Sequence, residues 1–448
     1  MQENQNTETP SYEIFVVDHL GPQEVAMAQA LYSRDPRSVI EHLKVIEEKG
    51  PEAFMGKYYV EYGHKSIGDC GSTTIFIENV SMLVAKAVQD WSLYSGQEAS
   101  TRYLDMSKQS VLNPIGTPAG QAIQNRWMAF YEKALAVLIA ELEEQYPRKE
   151  GEKEIVYSKA IKAKAFDIAR GFLPAGITTF VSWHTNLRQA ADHLKEMRHH
   201  PLKEVRDIAV QTLSKLIEKY PSSFSHEILP DDEQYLGSAV GRVSYLDLSH
   251  NLYNSEISEL EFSAKSNLNS DWLNHYSNVL TSRPKKSELP KQLRICGGFS
   301  FEFLLDFGSF RDLQRQRSVI QPMPLLTTHY GFEPWYLEQL PDSLREEAVE
   351  LIKEQADELD MLTMSKTEKQ YYIAMGFRVH CVIEAPLPAA VYIAELRAGQ
   401  TVHPTLRVIA QQMGAYIKES VRGIALYYDE SPDEWSTKRG KQDIIKKE

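Results

Sequence analysis

Ser95-Gly96-Gln97-Glu98-Ala99-Ser100-Thr101-Arg102-Tyr103 and Arg311-Asp312-Leu313-Gln314-Arg315-Gln316-Arg317 are the two stretches on which the reading of this chain turns. The first sets a hydroxyl and a guanidinium two residues apart behind a carboxylate. The second packs three arginines into seven residues. Each reads as half of one anion-binding site, because hydroxyls, backbone N–H groups and guanidinium groups are what hold phosphates. They lie in opposite halves of the chain, so the halves have to be compared.

Working outward, the halves carry the same landmarks in the same order. A helix rich in small residues ends in serine at Ser33 and again at Ser244. Alternating stretches read as strands at 74–78 and 299–303. Glu196-Met197-Arg198 precedes His200-Pro201 and a helix, and Glu395-Leu396-Arg397 precedes His403-Pro404 and another. Order kept over such distances points to one ancestral unit, duplicated and fused. The unit is strand-rich early and helix-rich late, which predicts an α+β fold with helices packed on a sheet. Periodicity predicts helices over 159–172, 188–198, 204–219, 343–360 and 404–420. The acidic run Asp231-Asp232-Glu233 after Pro221 marks the boundary. The expected division is a frayed N-terminus over 1–11, repeats over 12–227 and 236–430, a linker over 228–235 and a charged tail over 431–448.

The chain has 448 residues and a formal net charge of −13. Such an acidic surface opposes non-specific nucleic-acid binding, which needs cations to displace counterions. A small anionic substrate fits only where arginines cluster against the global field. Cys70, Cys296 and Cys381 are too few and too far apart for a disulfide framework or a zinc site. The pair His199-His200 with His403 matches no common metal spacing, so no metal is expected. No apolar run is long enough for a bilayer, and the N-terminus lacks a signal pattern, so a cytoplasmic protein is expected.

Taken singly, each candidate has two readings. The 98–102 loop is a ligand loop or a surface loop with a capping serine. Arg311 and Arg315 stand one helical turn apart, a costly like-charge pair unless an anion or a carboxylate such as Asp312 is near. Asn186 and Arg188 are a ligand fork or a helix cap beside a solvated arginine. Arg170 and Arg198 are ligand groups or surface ion pairs. His64 and Ser66 sit in a glycine-flanked turn.

Together, however, these elements resemble the flavin-dependent thymidylate synthases, over roughly 12–225 and again over 236–425. The motifs are Gly63-His64-Lys65-Ser66, Ser100-Thr101-Arg102, Ala169-Arg170 through Leu173-Pro174, and Asn186-Leu187-Arg188. Where the family has Arg-His-Arg, the first half has Asp90-Trp91-Ser92 and the second has Arg315-Gln316-Arg317. The second half in turn has Thr327-Thr328-His329-Tyr330 for the Ser-x-Arg close and Pro386-Leu387-Pro388 for Asn-x-Arg, with no evident match for Arg170. Each half lacks what the other keeps.

The resemblance implies tandem copies of one domain, each a mixed or antiparallel sheet with packed helices. It also implies FAD, with NADPH and methylenetetrahydrofolate as co-substrates, and reductive methylation of dUMP to dTMP without a cysteine nucleophile. It implies that Glu98, Ser100, Thr101, Arg102, Arg170 and Arg315 bind dUMP. His64, Ser66, Asn186, Arg188, Arg315, Gln316 and Arg317 would bind FAD. Arg198 or Arg397 would stabilise the ionised uracil. Because family sites are shared between four subunits, a homodimer of this double-length chain with pseudo-222 symmetry is expected. Two rivals remain: a related flavoenzyme that hydroxymethylates dUMP, and a non-catalytic flavin- or nucleotide-binding descendant.

Overall fold

β4 (Gly298–Asp306) is the central strand of a three-stranded antiparallel sheet, flanked by β3 (Phe262–Ser266) and β5 (Arg378–Pro386). Phe299, Phe301 and Phe303 alternate along β4 and are all buried. That is the period-two pattern of a strand with one face in a core. Upstream, β1 (Ser72–Ser81) and β2 (Thr178–Asn186) form a two-stranded sheet. The computed structural model describes residues 13–247 and 262–441, so the expectation for 1–11 and part of the tail lie outside it. The chain is a mixed α/β structure with small sheets and many helices. No described helix is long and apolar enough to cross a membrane.

The helices expected from periodicity form at Glu154–Ala169, Leu187–Met197, Lys203–Lys219, Asp342–Met361 and Pro404–Ser420. The first ends in a separate 3-10 turn, Arg170–Phe172, before Pro174, whose ring disfavours helical backbone in the residue ahead of it. The segment expected to be a linker, 228–235, differs: it runs into a helix, Pro230–Val243. Pro230 at its first position and the acids Asp231, Asp232 and Glu233 in its first turn are helix-starting chemistry, so the acidic run is a cap rather than a spacer.

By packing, the chain divides into two units that do not follow the two halves. Residues up to Ile75, His184–Glu196 and Ala209–Glu233 make one; Phe76–Trp183, Met197–Ile208 and the chain from Gln234 make the other. In the first, Met27, Ala28 and Ile46 of the helices Pro22–Tyr32 and Val39–Lys49 form a buried cluster. Gly68 lies against the Tyr59 ring, where an added Cβ would come within 2.4 Å of it.

In the second unit, two segments meet about a local twofold axis. Pro174 and Ala374 pair as an antiparallel bridge. Ala175 N donates to Ile373 O and Met375 N to Leu173 O, each at 2.9 Å. Gly176 N donates to Tyr371 O at 3.0 Å, and Gly376 N to Gly171 O at 2.7 Å. This is the reciprocity of an isologous contact, here inside one chain. Both segments have the same order: a 3-10 turn, a strand, then two helices (Arg170–Phe172 to Lys219, and Gln370–Tyr372 to Ser420). At a constant interval, Gln370 stands where the first half has Arg170, and Pro386 and Pro388 stand for Asn186 and Arg188. Arg397, the last residue of helix Leu387–Arg397, stands for Met197. Arg198 follows its helix and stands opposite Ala398. Arg198 and Arg397 look equivalent in sequence, but the helix ends put them one residue out of register.

Candidate functional site

The 94–101 loop is laid along β2. Tyr94 Oη donates to Ser182 O at 2.8 Å, Ser182 N to Gln97 O at 2.7 Å and Ala99 N to Phe180 O at 3.0 Å. Gly96 is required here: a Cβ would sit 1.9 Å from Ser182 O. Across from this loop stands the short helix Phe307–Leu313, capped by the Asp306 carboxylate, which accepts from Ser309 N at 2.8 Å. The helix stops at Leu313, so Arg311 and Arg315 do not share a face. Arg311 is buried, whereas Arg315 emerges beyond the helix end and is exposed.

Arg311 turns to Glu98, at 2.5 Å, and to Thr101 Oγ1, at 3.1 Å. Lys86 reaches the same carboxylate at 2.8 Å, and Gln89 at 2.9 Å. Burial pushes the Glu98 carboxyl up, but Arg311 and Lys86 outweigh it and hold it at about 2. Burial lowers Lys86 to about 8 against the pull of Glu98, and Arg311 lowers it further. Glu98 and Thr101, expected at a substrate, are partners of Arg311, and Glu98 also lines the smaller cavity described below. Asp312, weighed as the partner of Arg311, faces elsewhere.

Arg102 was expected to share a ligand with Arg315. Instead it meets Asp167 through two bonds, 2.8 and 3.0 Å, and donates to Thr401 O at 3.2 Å. Asp167 is also held by Arg439 from the tail, whose Nη2 donates to Arg102 O at 3.1 Å. Burial opposes ionisation of Asp167, and the two guanidinium groups more than offset it. Ser100 Oγ accepts from Arg102 N at 3.3 Å, a local turn contact. Arg170 is buried and donates to Ser309 Oγ at 2.7 Å, near Asp306 and Asp312 at 3.8 and 3.9 Å. These are buried ion pairs, not the surface pairs weighed from sequence. A carboxyl inside an otherwise apolar helix stripe, as in Phe166-Asp167-Ile168, is the signal that could have revealed the first.

Arg315 and Arg317 line two cavities. One, of about 200 Å³, is completed by Gln89, residues 94–98 and Gln314. Arg317 donates across it to Tyr94 O. The other, of about 460 Å³, is lined by Lys291, Arg294, Gln316, Pro386, Pro388, Tyr392, Leu396 and Arg397 among others. With its amide oriented to satisfy both groups, Gln316 accepts from Arg397 Nη2 at 3.0 Å. Arg397 also donates to Asp312 O at 2.6 Å. Burial and the positive charges of Arg315 and Arg102 make its protonated form less favoured, while Asp312 works the other way. Arg102 lines neither cavity, although Arg102, Arg170, Arg397 and Arg315 all bear on the Asp312 carboxylate and lower its pKa.

The first unit holds the remaining candidates. His64 precedes the turn Lys65–Gly68, with its ring near those of Tyr58 and Tyr62, and Ser66 is exposed. Asn186 Oδ1 accepts from Gln189 N at 2.8 Å, a helix cap, and Arg188 pairs with Asp69 at 2.7 Å and Asp192 at 3.3 Å. Arg198 lies in the second unit, after helix Leu187–Met197. Lys291 and Arg294 were not singled out from sequence. The basic run from Arg283 to Arg294, in an acidic chain, was the available signal.

A family model described as "Thymidylate synthase complementing protein" matches residues 15–222. That match covers somewhat less than half of the chain and lies in its first half. The chain also resembles a UPF0159 protein of Chlamydia pneumoniae, 24% identical over 427 residues covering 84% of this chain and 79% of the relative. A UPF0159 protein of Thermoplasma acidophilum is 25% identical over 474 residues, covering 89% of this chain and 94% of the relative. Both likenesses extend well past residue 222, so the second half has counterparts in other proteins. The likeness of the first half is to a thymidylate synthase-related family.

Proposed function

We propose that the chain methylates dUMP reductively to dTMP, using FAD, methylenetetrahydrofolate and NADPH, at a composite site made by two fused and diverged repeats. One observation carries this reading. Arg315 and Arg317, the arginines the second half keeps, line a cavity with the 94–98 loop, which leads into the Ser100-Thr101-Arg102 close that the first half keeps. The residues present fit a flavin nucleotide in the larger cavity: cations for its phosphates, and Leu289, Val319, Tyr392, Ile393 and Leu396 for its ring systems. When bound, the flavin would supply the hydride that turns the transferred carbon into a methyl group. Arg315 would hold the dUMP phosphate at the junction of the cavities. Arg397, fixed by Gln316 and Asp312 O, would stabilise negative charge on the pyrimidine. It is preferred to Arg198 because it lines the cavity beside Arg315. Two chains would make a homodimer with pseudo-222 symmetry, in place of four single-repeat subunits.

A second reading draws on the internal ion pairs. Arg102 and Arg311 each bond to a carboxylate of their own chain, and Arg170 lies near two. A descendant that binds nucleotide without catalysis would tolerate that. The two readings separate on the purified protein. Flavin absorbance that shifts with dUMP, together with loss of hydrogen from C5 of dUMP when folate and NADPH are added, supports the enzyme. A flavin spectrum that shifts while C5 keeps its hydrogen supports the second reading. A colourless protein that does not bind dUMP overturns both.

A further inference from the structure

The tail beyond helix Pro404–Ser420 follows the last element that the two halves share, yet it returns to a motif of the first half. Its 3-10 turn, Thr437–Lys441, lies along the helix Glu154–Ala169, so closely that Gly440 has no room for a Cβ against Val156 O. Arg439 projects from this turn with its side chain only 11% exposed. Its Nη1 donates to the Asp167 carboxylate and, at 3.3 Å, to Ala163 O, while Nη2 donates to Arg102 O at 3.1 Å. The guanidinium also lies over the Tyr103 ring, 5.1 Å from its centroid. One side chain of the tail thus grips residues 102 and 103 together with the carboxylate that Arg102 uses.

The loop needs such a grip at this end. Its 94–99 part is fixed by β2, and Thr101 by Arg311. Ser100 has local turn contacts: its O accepts from Tyr103 N at 3.1 Å and Leu104 N at 3.0 Å, and its Oγ accepts from Arg102 N. The direction of the Arg102 side chain depends on Asp167, with a further bond to Thr401 O. A carboxylate that accepts from two guanidinium groups is fixed in orientation and fixes theirs, because each bond is charge-assisted and directional. Arg439 is therefore the part of the chain that keeps Asp167, and through it Arg102, in one place.

We propose that Arg439 is a positioning residue for the Ser100-Thr101-Arg102 close, so that the C-terminal tail completes, from outside the two halves' shared elements, the substrate loop of the first. This deepens the proposed function and rests on it in taking that close as a contact of dUMP. Arg439 acts through Asp167, Arg102 O and Tyr103. Without it the close samples conformations that cannot bind, and apparent affinity falls with the fraction that can. The reacting groups are untouched, so binding rather than turnover carries the loss.

The test compares the full-length wild type with Arg439→Ala and Arg439→Lys. Asp167 keeps Arg102 as a partner in both variants, so each should fold. Hydrogen exchange followed by mass spectrometry should run about tenfold or more faster across 100–104 in Arg439→Ala, while peptides of β4 and β5 keep the wild-type rate. KM for dUMP should rise about tenfold, as expected for one charge-assisted contact, with kcat within about twofold. Lysine keeps the charge beside Asp167 but lacks the fork that spans the carboxylate and the Arg102 carbonyl. Arg439→Lys should therefore keep the melting temperature and still show most of the rise in KM. Unchanged exchange across 100–104 in Arg439→Ala, an unchanged KM, or full recovery of KM with lysine would reduce Arg439 to an anchor of the tail and overturn the proposal. A wild type that binds dUMP but leaves its C5 hydrogen in place sinks the methylation reading alone, and calorimetric affinity for dUMP then replaces KM in the same comparison. A wild type that does not bind dUMP overturns both.

Discussion

Arg311 donates to Glu98 at 2.5 Å, with both side chains buried, and so ties a helix of the second half to the loop of the first that carries Ser100 and Arg102. This bond brings two motifs far apart in sequence against one cavity, and Lys86 on the same carboxylate makes it a buried triad. Removing one member of such a cluster leaves an uncompensated charge, which costs more than the pair is worth. Arg311→Ala should therefore destabilise the protein by about 3–5 kcal/mol, read from urea unfolding. Glu98→Gln should cost at least as much, because it leaves both Arg311 and Lys86 buried without a counter-charge. A loss under about 1 kcal/mol for Arg311→Ala would mean that the loop is held by its contacts to β2 alone.

The same carboxylate sets an acid limit. Glu98 is held at about 2, below its ordinary value of 4.5, so its stabilising contribution is complete above 4.5 and is lost as pH falls toward 2. Unfolding free energy measured from pH 6 down to pH 3 should fall less steeply in Glu98→Gln than in the wild type.

Glu333 behaves in the opposite sense. Burial, and then the nearby Asp306 charge, raise it from 4.5 to about 7, so the folded chain favours its protonated form. Stability is fully present below 4.5 and declines as pH rises through 7. Glu333→Gln should remove this decline and stabilise the protein at pH 8 by roughly 3 kcal/mol, from about 1.4 per unit. Parallel stability–pH curves for the two proteins between 4.5 and 8 would contradict the assignment.

The tail is fastened where only glycine fits. A Cβ on Gly440 would lie 2.0 Å from Val156 O, and Arg439 beside it bonds to Asp167. Trp435 stacks on Tyr146 at 4.7 Å, extending the attachment. Gly440→Ala should lift residues 437–441 from the helix Glu154–Ala169 and speed tryptic cleavage at Lys438 and Arg439 several-fold. An unchanged cleavage rate would show that Trp435 and Arg439 hold the tail without this close approach.

The proposed composite site uses segments that meet within one chain. Gly96→Ala displaces the 94–98 wall, and Arg315→Ala removes the cation facing it. If both variants are inactive, mixing them should restore no activity, because neither chain then has an intact cavity. Recovery of about a quarter of wild-type turnover or more on mixing would show sites shared between chains, as random pairing in a homodimer would give.

The sequence showed more of the elements than of their partners. Helices such as Pro404–Ser420 were legible because Leu406, Ile409, Ala410, Met413 and Ile417 repeat with the helical period, and that period follows from backbone geometry. Sequence offered no counterpart to Arg170 in the second half, because Gln370, which stands at that position, shares no side-chain chemistry with it. The acidic run at 231–233 misled, since acids begin helices as readily as they fill linkers. Arg102 misled for a related reason: its motif spacing is local, whereas its partner Asp167 comes from a distant helix and Arg439 from the tail.

Sequence alone determined the mixture of helices and strands, the family likeness and the unequal motifs of the two halves, because these are properties of local pattern and spacing. Tertiary structure decided which arginines are neutralised within the fold and which, like Arg315, Lys291 and Arg294, still face a cavity unpaired. Charge pairing depends on distances in space and on burial, and neither is set by the neighbours of a residue along the chain.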